Sequence, residues 1–101
     1  MNSLEKRFHD DMIQIYINAK KEINYTATRF FQLVSKKGGL QAAKQLINSD
    51  GNTYGFEVLW KNQRLDLSVE RHVLKPEYRE LFEDYEIDIC RERLKEYGFD
   101  I

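Results

Sequence analysis

The chain of 101 residues has one cysteine, one proline and one tryptophan. A lone thiol, Cys90, closes no internal bridge, which excludes a disulfide-stapled scaffold and argues for a reducing compartment. No apolar run approaches the roughly 20 residues needed to span a bilayer. The opening segment Met1-Asn2-Ser3-Leu4-Glu5-Lys6-Arg7 is mixed in charge and leads into no signal-peptide core. The expectation is a cytoplasmic protein with no membrane partner, in which the sequon Asn24-Tyr25-Thr26 stays unused.

Reactive chemistry is equally sparse. The two histidines, His9 and His72, have no partner at ligand spacing, so no zinc site is expected. His9-Asp10-Asp11 cannot converge on one ion unaided, because adjacent helical side chains diverge by about 100°. Asp50-Gly51-Asn52 lacks the alternate acids and distal glutamate of a calcium loop. Gly38-Gly39 lacks the longer glycine frame and the Lys-Ser or Lys-Thr of a phosphate loop. Cys90, with His72 as a notional base, falls on the apolar stripe of a helix, where a free cysteine packs as a small hydrophobe. A non-enzymatic protein follows, with no catalytic residue, metal, cofactor or small-molecule substrate.

What is present is an ordinary core supply and an uneven charge map. Hydrophobic residues make up 42% and charged residues 33%, enough for one globular domain over residues 1–101. Residues 12–49 hold six bases (Lys20, Lys21, Arg29, Lys36, Lys37, Lys44) against one acid, Glu22. Residues 50–101 reverse this, with thirteen acids against eight bases. A near-neutral net charge of −1 therefore hides a polarised chain, and polarity of this kind bears on partners.

Periodicity predicts a mainly α fold, a compact bundle of five to six short helices around one core. Leu4, Phe8, Met12, Ile15, Ala19 and Ile23 form a stripe on a helix over about 3–23, opened by Asn2 with Glu5. Ile13, Tyr16 and Ile17 widen that stripe and imply burial toward its second half. Thr26 is the expected cap of a second helix, about 27–37, with Phe30, Phe31, Leu33 and Val34 inside. Gly38 ends it as a left-handed residue, and a third helix follows over about 40–48. The segment 55–70 is read as helical, with Ser68 as a cap; the alternative is α+β, with a small hairpin at about 55–69. Pro76 starts a short helix, and a last helix over about 84–97 stops at Gly98.

Two surfaces carry the functional expectations. Arg29, Gln32, Lys36, Lys37, Gln41, Lys44, Gln45 and Asn48 lie on the outer sides of a helix-Gly-Gly-helix unit at about 27–48. Lysine and arginine neutralise phosphates and Gln and Asn read base edges, so this is the candidate nucleic-acid face, for DNA or RNA. The competing reading is a solvated helix face, or one neutralised by the acidic half. Tyr54, Phe56 and Trp60 form the candidate anchor for a protein partner if exposed, and core if not.

The pieces Tyr25-Thr26-Ala27-Thr28-Arg29-Phe30, Gly38-Gly39-Leu40, Gly55-Phe56, Leu59-Trp60, Arg64-Leu65-Asp66-Leu67-Ser68-Val69-Glu70, Pro76-Glu77, Arg91-Glu92-Arg93-Leu94 and Tyr97-Gly98-Phe99 carry a resemblance. Over about three quarters of its length the chain resembles an uncharacterised family of short bacterial proteins. That resemblance implies a free-standing small protein and carries over no catalytic residue. The leading functional expectation is a protein-interaction or adaptor module, with nucleic-acid binding as the alternative.

Overall fold

The first helix begins where the sequence places its cap. In the computed structural model, which describes residues 2–49, 51 and 54–100, α1 spans Ser3–Ile23 and the Asn2 side chain accepts the Glu5 N–H at 2.7 Å. Asn24 then turns into the left-handed region, and the Tyr25 N–H closes back on the Ala19 carbonyl. The stripe Phe8, Met12, Ile15 and Ala19 is buried. Ile17 is not. It stands 46% exposed, and Tyr16 beside it packs on the exposed ring of Phe31 with centroids 4.6 Å apart. The wider apolar face thus runs onto the surface, where Phe31 of the next helix is its ring contact.

Helix α2 (Thr28–Lys37) buries Phe30 and Val34, with Leu33 partly covered. Thr26 does not cap it; Ala27 occupies the N-cap with no side-chain bond. Gly38 has φ 85° and ψ 156°, so it is not the left-handed helical stop but an extended mirror-region turn, open only to glycine. It sends the chain directly into α3 (Gly39–Ile47). Gly39 is needed for another reason. A Cβ there would stand 2.6 Å from the His9 Cα, so α1 and α3 meet backbone to backbone. At the contact the Gly39 N–H, an orphan donor of the first helical turn, is taken by His9 Nδ1 at 2.8 Å.

The ambiguous middle is helical, and among the described residues there is no strand. Helix α4 (Phe56–Lys61) stops because Gln63 adopts φ 58°, letting the Arg64 N–H bond the Leu59 carbonyl at 2.7 Å. A hairpin reversal at Lys61–Arg64 is replaced by a helix stop. A single 3-10 turn (Leu65–Leu67) leads to α5 (Val69–Val73), and Ser68 serves both. Its hydroxyl donates to the Leu65 carbonyl at 2.7 Å and accepts the Arg71 N–H at 3.1 Å. Pro76 opens a second 3-10 segment (Pro76–Leu81), and α6 (Asp84–Glu96) starts with a capping box between Glu83 and Glu86.

The interior divides in two. The main cluster joins α1, α2, α3, α5 and α6 and includes Phe8 edge-on to both Tyr78 and Phe82. A smaller one, Phe56, Leu59, Leu65, Leu67 and Leu94, lies under α4 at the far end of α6. Leu74 touches both. The expected single core is thus a main body with a satellite, and the satellite is where the aromatic anchor residues fall.

The α1–α3 contact gives the first test. Gly39→Ala should lower stability by about 1–3 kcal/mol, since neither backbone can yield without parting the helices. His9→Ala, which leaves the buried Gly39 N–H without an acceptor, should cost about 1–3 kcal/mol. Urea unfolding of the two variants checks both.

Candidate functional site

The polar face of α3 does not point wholly to solvent. Lys44 Nζ reaches Glu86 Oε1 at 2.7 Å, and Asn48 Nδ2 reaches Glu86 Oε2 at 2.9 Å. Glu86 itself is 2% exposed on α6, and the Glu83 N–H supplies a third donor at 2.9 Å. Two helical turns further along α6, Arg93 donates to the carbonyls of Leu46, Ile47 and Ser49 and pairs with the buried Glu70 at 3.3 Å. An arginine from a different helix thereby closes the carboxyl end of α3, where four carbonyls lack intrahelical donors.

The eight residues of the basic face accordingly separate. Lys44 and Asn48 are tied to Glu86, and Lys44 also lies 5.1 Å from the Phe82 ring. Arg29 is exposed but stacks over Tyr54, with its guanidinium carbon 4.3 Å from the ring centroid. Gln32, Lys36, Lys37, Gln41 and Gln45 remain on the surface, and Lys36 and Lys37 have no ion pair among the described residues. The continuous footprint read from helical spacing is broken at its centre. Spacing gives the direction of a side chain but not what packs there. The signal for Glu86 was its place as the third residue of α6 in a capping box.

The three anchor residues also part company. Phe56 is 1% exposed and belongs to the satellite core, so it offers nothing to a partner. Tyr54 is half-covered by Arg29. Trp60 is 43% exposed, and its ring meets Tyr97 edge-on at 5.1 Å, while Tyr97 also meets Phe56 edge-on at 5.0 Å. Together Trp60, Gln63, Leu65, Tyr97, Gly98 and Phe99 line an open cleft of about 220 Å³. Leu65, Tyr97 and Phe99 were not among the expected site residues. The glycine stop at Gly98 brings Phe99 in, since its reversal bonds the Phe99 N–H to the Leu94 carbonyl at 2.9 Å and folds Phe99 back.

The reactive side chains have separate engagements. His9 faces Gly39, Asp10 accepts from Lys6, and Asp11 accepts the Tyr78 hydroxyl at 2.6 Å, so these neighbours diverge to three partners. Among the described residues no group of three His, Cys, Asp or Glu side chains could hold a metal ion. His72 Nδ1 donates to the Ser68 carbonyl at 2.8 Å, and burial pulls its imidazole below the usual range. Cys90 is fully buried, and burial pushes its thiol well above the usual range. The crevice beneath Tyr54 encloses about 10 Å³, scarcely room for a water. Asp50 and Asn52, compared above with a calcium loop, lie outside the described residues. No described helix is long and apolar enough to cross a membrane.

No protein-family model, curated protein or solved structure matches the chain.

Two measurements follow from these geometries. Burial pushes the Glu86 carboxyl up, but Lys44, the Glu83 N–H and Asn48 together outweigh it and hold the group below its ordinary 4.5. Its contribution is complete above that pH and is lost as pH falls through the lower folded-state value. The lowered His72 acts with the same sign, in place above about 6.5 and declining below it. Stability should therefore fall on acidification from pH 6.5, and Lys44→Ala should cost about 3 kcal/mol by stranding a buried carboxylate. Cys90 should resist iodoacetamide in the native protein and react only as the chain unfolds, as a labelling time course against urea would show.

Proposed function

We propose that this protein is a non-enzymatic binding module whose Trp60 cleft receives an apolar side chain of a protein partner. The supporting observation is Trp60, 43% exposed beside a cleft whose other apolar walls are Leu65, Tyr97 and Phe99. Large aromatic side chains held rigid at a cleft are the usual anchors of interfaces, because they bury much area with little entropy to lose. Edge-on packing against Tyr97 restrains the indole, while Tyr97 is itself seated on the buried Phe56. The cleft lies over the satellite core, away from the α1–α3 contact, so a partner docks without disturbing the main body.

The nucleic-acid reading rests on the residual surface of Gln32, Lys36, Lys37, Gln41 and Gln45. Its expected centre, Lys44, is held by Glu86.

A tagged chain should retain a protein partner that is identified, purified and recombined with it. In that binary complex the emission of Trp60, the single tryptophan, should shift. Trp60→Ala should weaken binding by about thirty-fold, the loss of roughly 2 kcal/mol at an anchor, with the chain still folded and its urea midpoint lowered by the lost Tyr97 contact, worth about 1 kcal/mol. A chain that purifies without a partner counts against the proposal. Salt-sensitive retention of random DNA or RNA, lost in Lys36→Glu with Lys37→Glu, would replace it with the nucleic-acid reading.

A further inference from the structure

Phe99 faces two concavities. One is the Trp60 cleft; the other is a groove of about 790 Å³ whose walls include Arg71, Leu74, Pro76, Arg91, Lys95 and Phe99. The two spaces therefore adjoin across a single ring and form one composite surface, apolar at one end and cationic at the other.

The cations in this groove are out of place in the acid-rich half of the chain. Of its eight bases, five have carboxylate partners: Arg64 with Glu22 and Asp66, Lys75 with Asp11, Arg79 with Asp84, Arg91 with Asp88 and Arg93 with Glu70. The remaining three, Lys61, Arg71 and Lys95, have no carboxylate partner among the described residues. Two of those three line the groove. The groove's own acids, Asp66 and Asp100, lower its positive charge but form no ion pair with Arg71 or Lys95 among the described residues. Asp66 is occupied by two bonds from Arg64, at 3.0 and 3.2 Å, and Asp100 sits at the exposed edge. Arg71 is held in place by its own backbone, whose N–H is bonded to the Ser68 hydroxyl at the start of α5.

We infer that the Trp60 cleft and the Arg71–Lys95 groove together bind an acidic linear peptide, with one aromatic or large aliphatic side chain seated beside Trp60 and Asp or Glu residues lying against Arg71 and Lys95. This inference rests on the binding-module reading and names its partner class. An extended peptide is the shape that spans two open, adjoining concavities, and charge complementarity orients it, anchor toward Trp60 and acids toward α5 and α6. The guanidinium of Arg71 offers a carboxylate two parallel donors, whereas Lys95 offers a point charge that follows a mobile chain.

The test pans a phage-displayed library of random linear peptides on the full chain and labels the enriched sequences with fluorescein for titration. Peptides with an apolar anchor flanked by Asp or Glu are the expected result. Their Kd should rise about tenfold or more in Arg71→Gln with Lys95→Glu and with added salt. Lys95→Glu alone, at an exposed position, keeps the test valid if Arg71→Gln does not fold. Enriched peptides that lack acids, are lost in Trp60→Ala and ignore the charge variants would overturn the acidic-peptide inference while leaving the binding module intact. An absence of any enriched peptide overturns both. A random single-stranded RNA pool that competes with the peptide and is lost in the same charge variants would overturn it in favour of a polyanion groove.

Discussion

The arrangement of helices depends on two carboxylates buried against the same neighbour. Glu86 and Glu70 come from different elements, yet both act on the carboxyl-terminal half of α3, one through Lys44 and Asn48 and the other through Arg93. A buried carboxylate without donors is several kcal/mol unfavourable, so each demands its partners in place before the interior closes. Apolar packing alone tolerates sliding of one helix along another. These bonds do not, because a shift of one turn would strand a charge on each side. They fix where α3 stands relative to α5 and α6, and with it the position of the whole α1–α2–α3 layer.

The same pairs explain why the charge map overstated the surface. Part of the basic excess of residues 12–49 is used inside the molecule, by Lys44 on α3, while Glu22 on α1 reaches across to Arg64 at 2.6 Å. Opposite charges in the two halves are first an internal matter. What remains outside is a thinner basic strip on α2 and α3 and, unexpectedly, cations in the acidic half that have no carboxylate partner among the described residues. Counting charges along the chain pointed to the first of these surfaces, and pairing them in space pointed to the second.

Much of the local structure was legible because its signals are local. Asn2 with Glu5, Ser68, Pro76 and Gly98 each mark an element end through a bond or a dihedral set within a few residues. Spacing likewise identified Phe8, Met12, Ile15 and Ala19 as core. The misreadings share one cause, which is that a helix face is known from the sequence but its neighbour is not. Ile17 and Phe31 belong to apolar faces that stay exposed among the described residues, whereas Lys44 belongs to a polar face that Glu86 does cover. Phe56 and Trp60 stand four residues apart on one short helix and both meet Tyr97 edge-on, yet Phe56 is packed into the satellite core and Trp60 is left at the cleft. Arg93 lies in the last turn of α6, yet its bonds close the end of α3.

Helix α1 has partners at both ends of the order of synthesis. Its Phe8 ring needs Tyr78 and Phe82, and its Asp11 needs the Tyr78 hydroxyl, 67 positions later. In the order of synthesis α2 and α3, which supply most of the cover of its stripe, follow α1 directly, whereas Tyr78 and Phe82 come about seventy residues after Phe8. At roughly 5–20 residues per second the Phe8 corner stays open for several seconds while the rest of the stripe can already close. Nascent α1 is thus sheltered along its length before it is sealed at one ring.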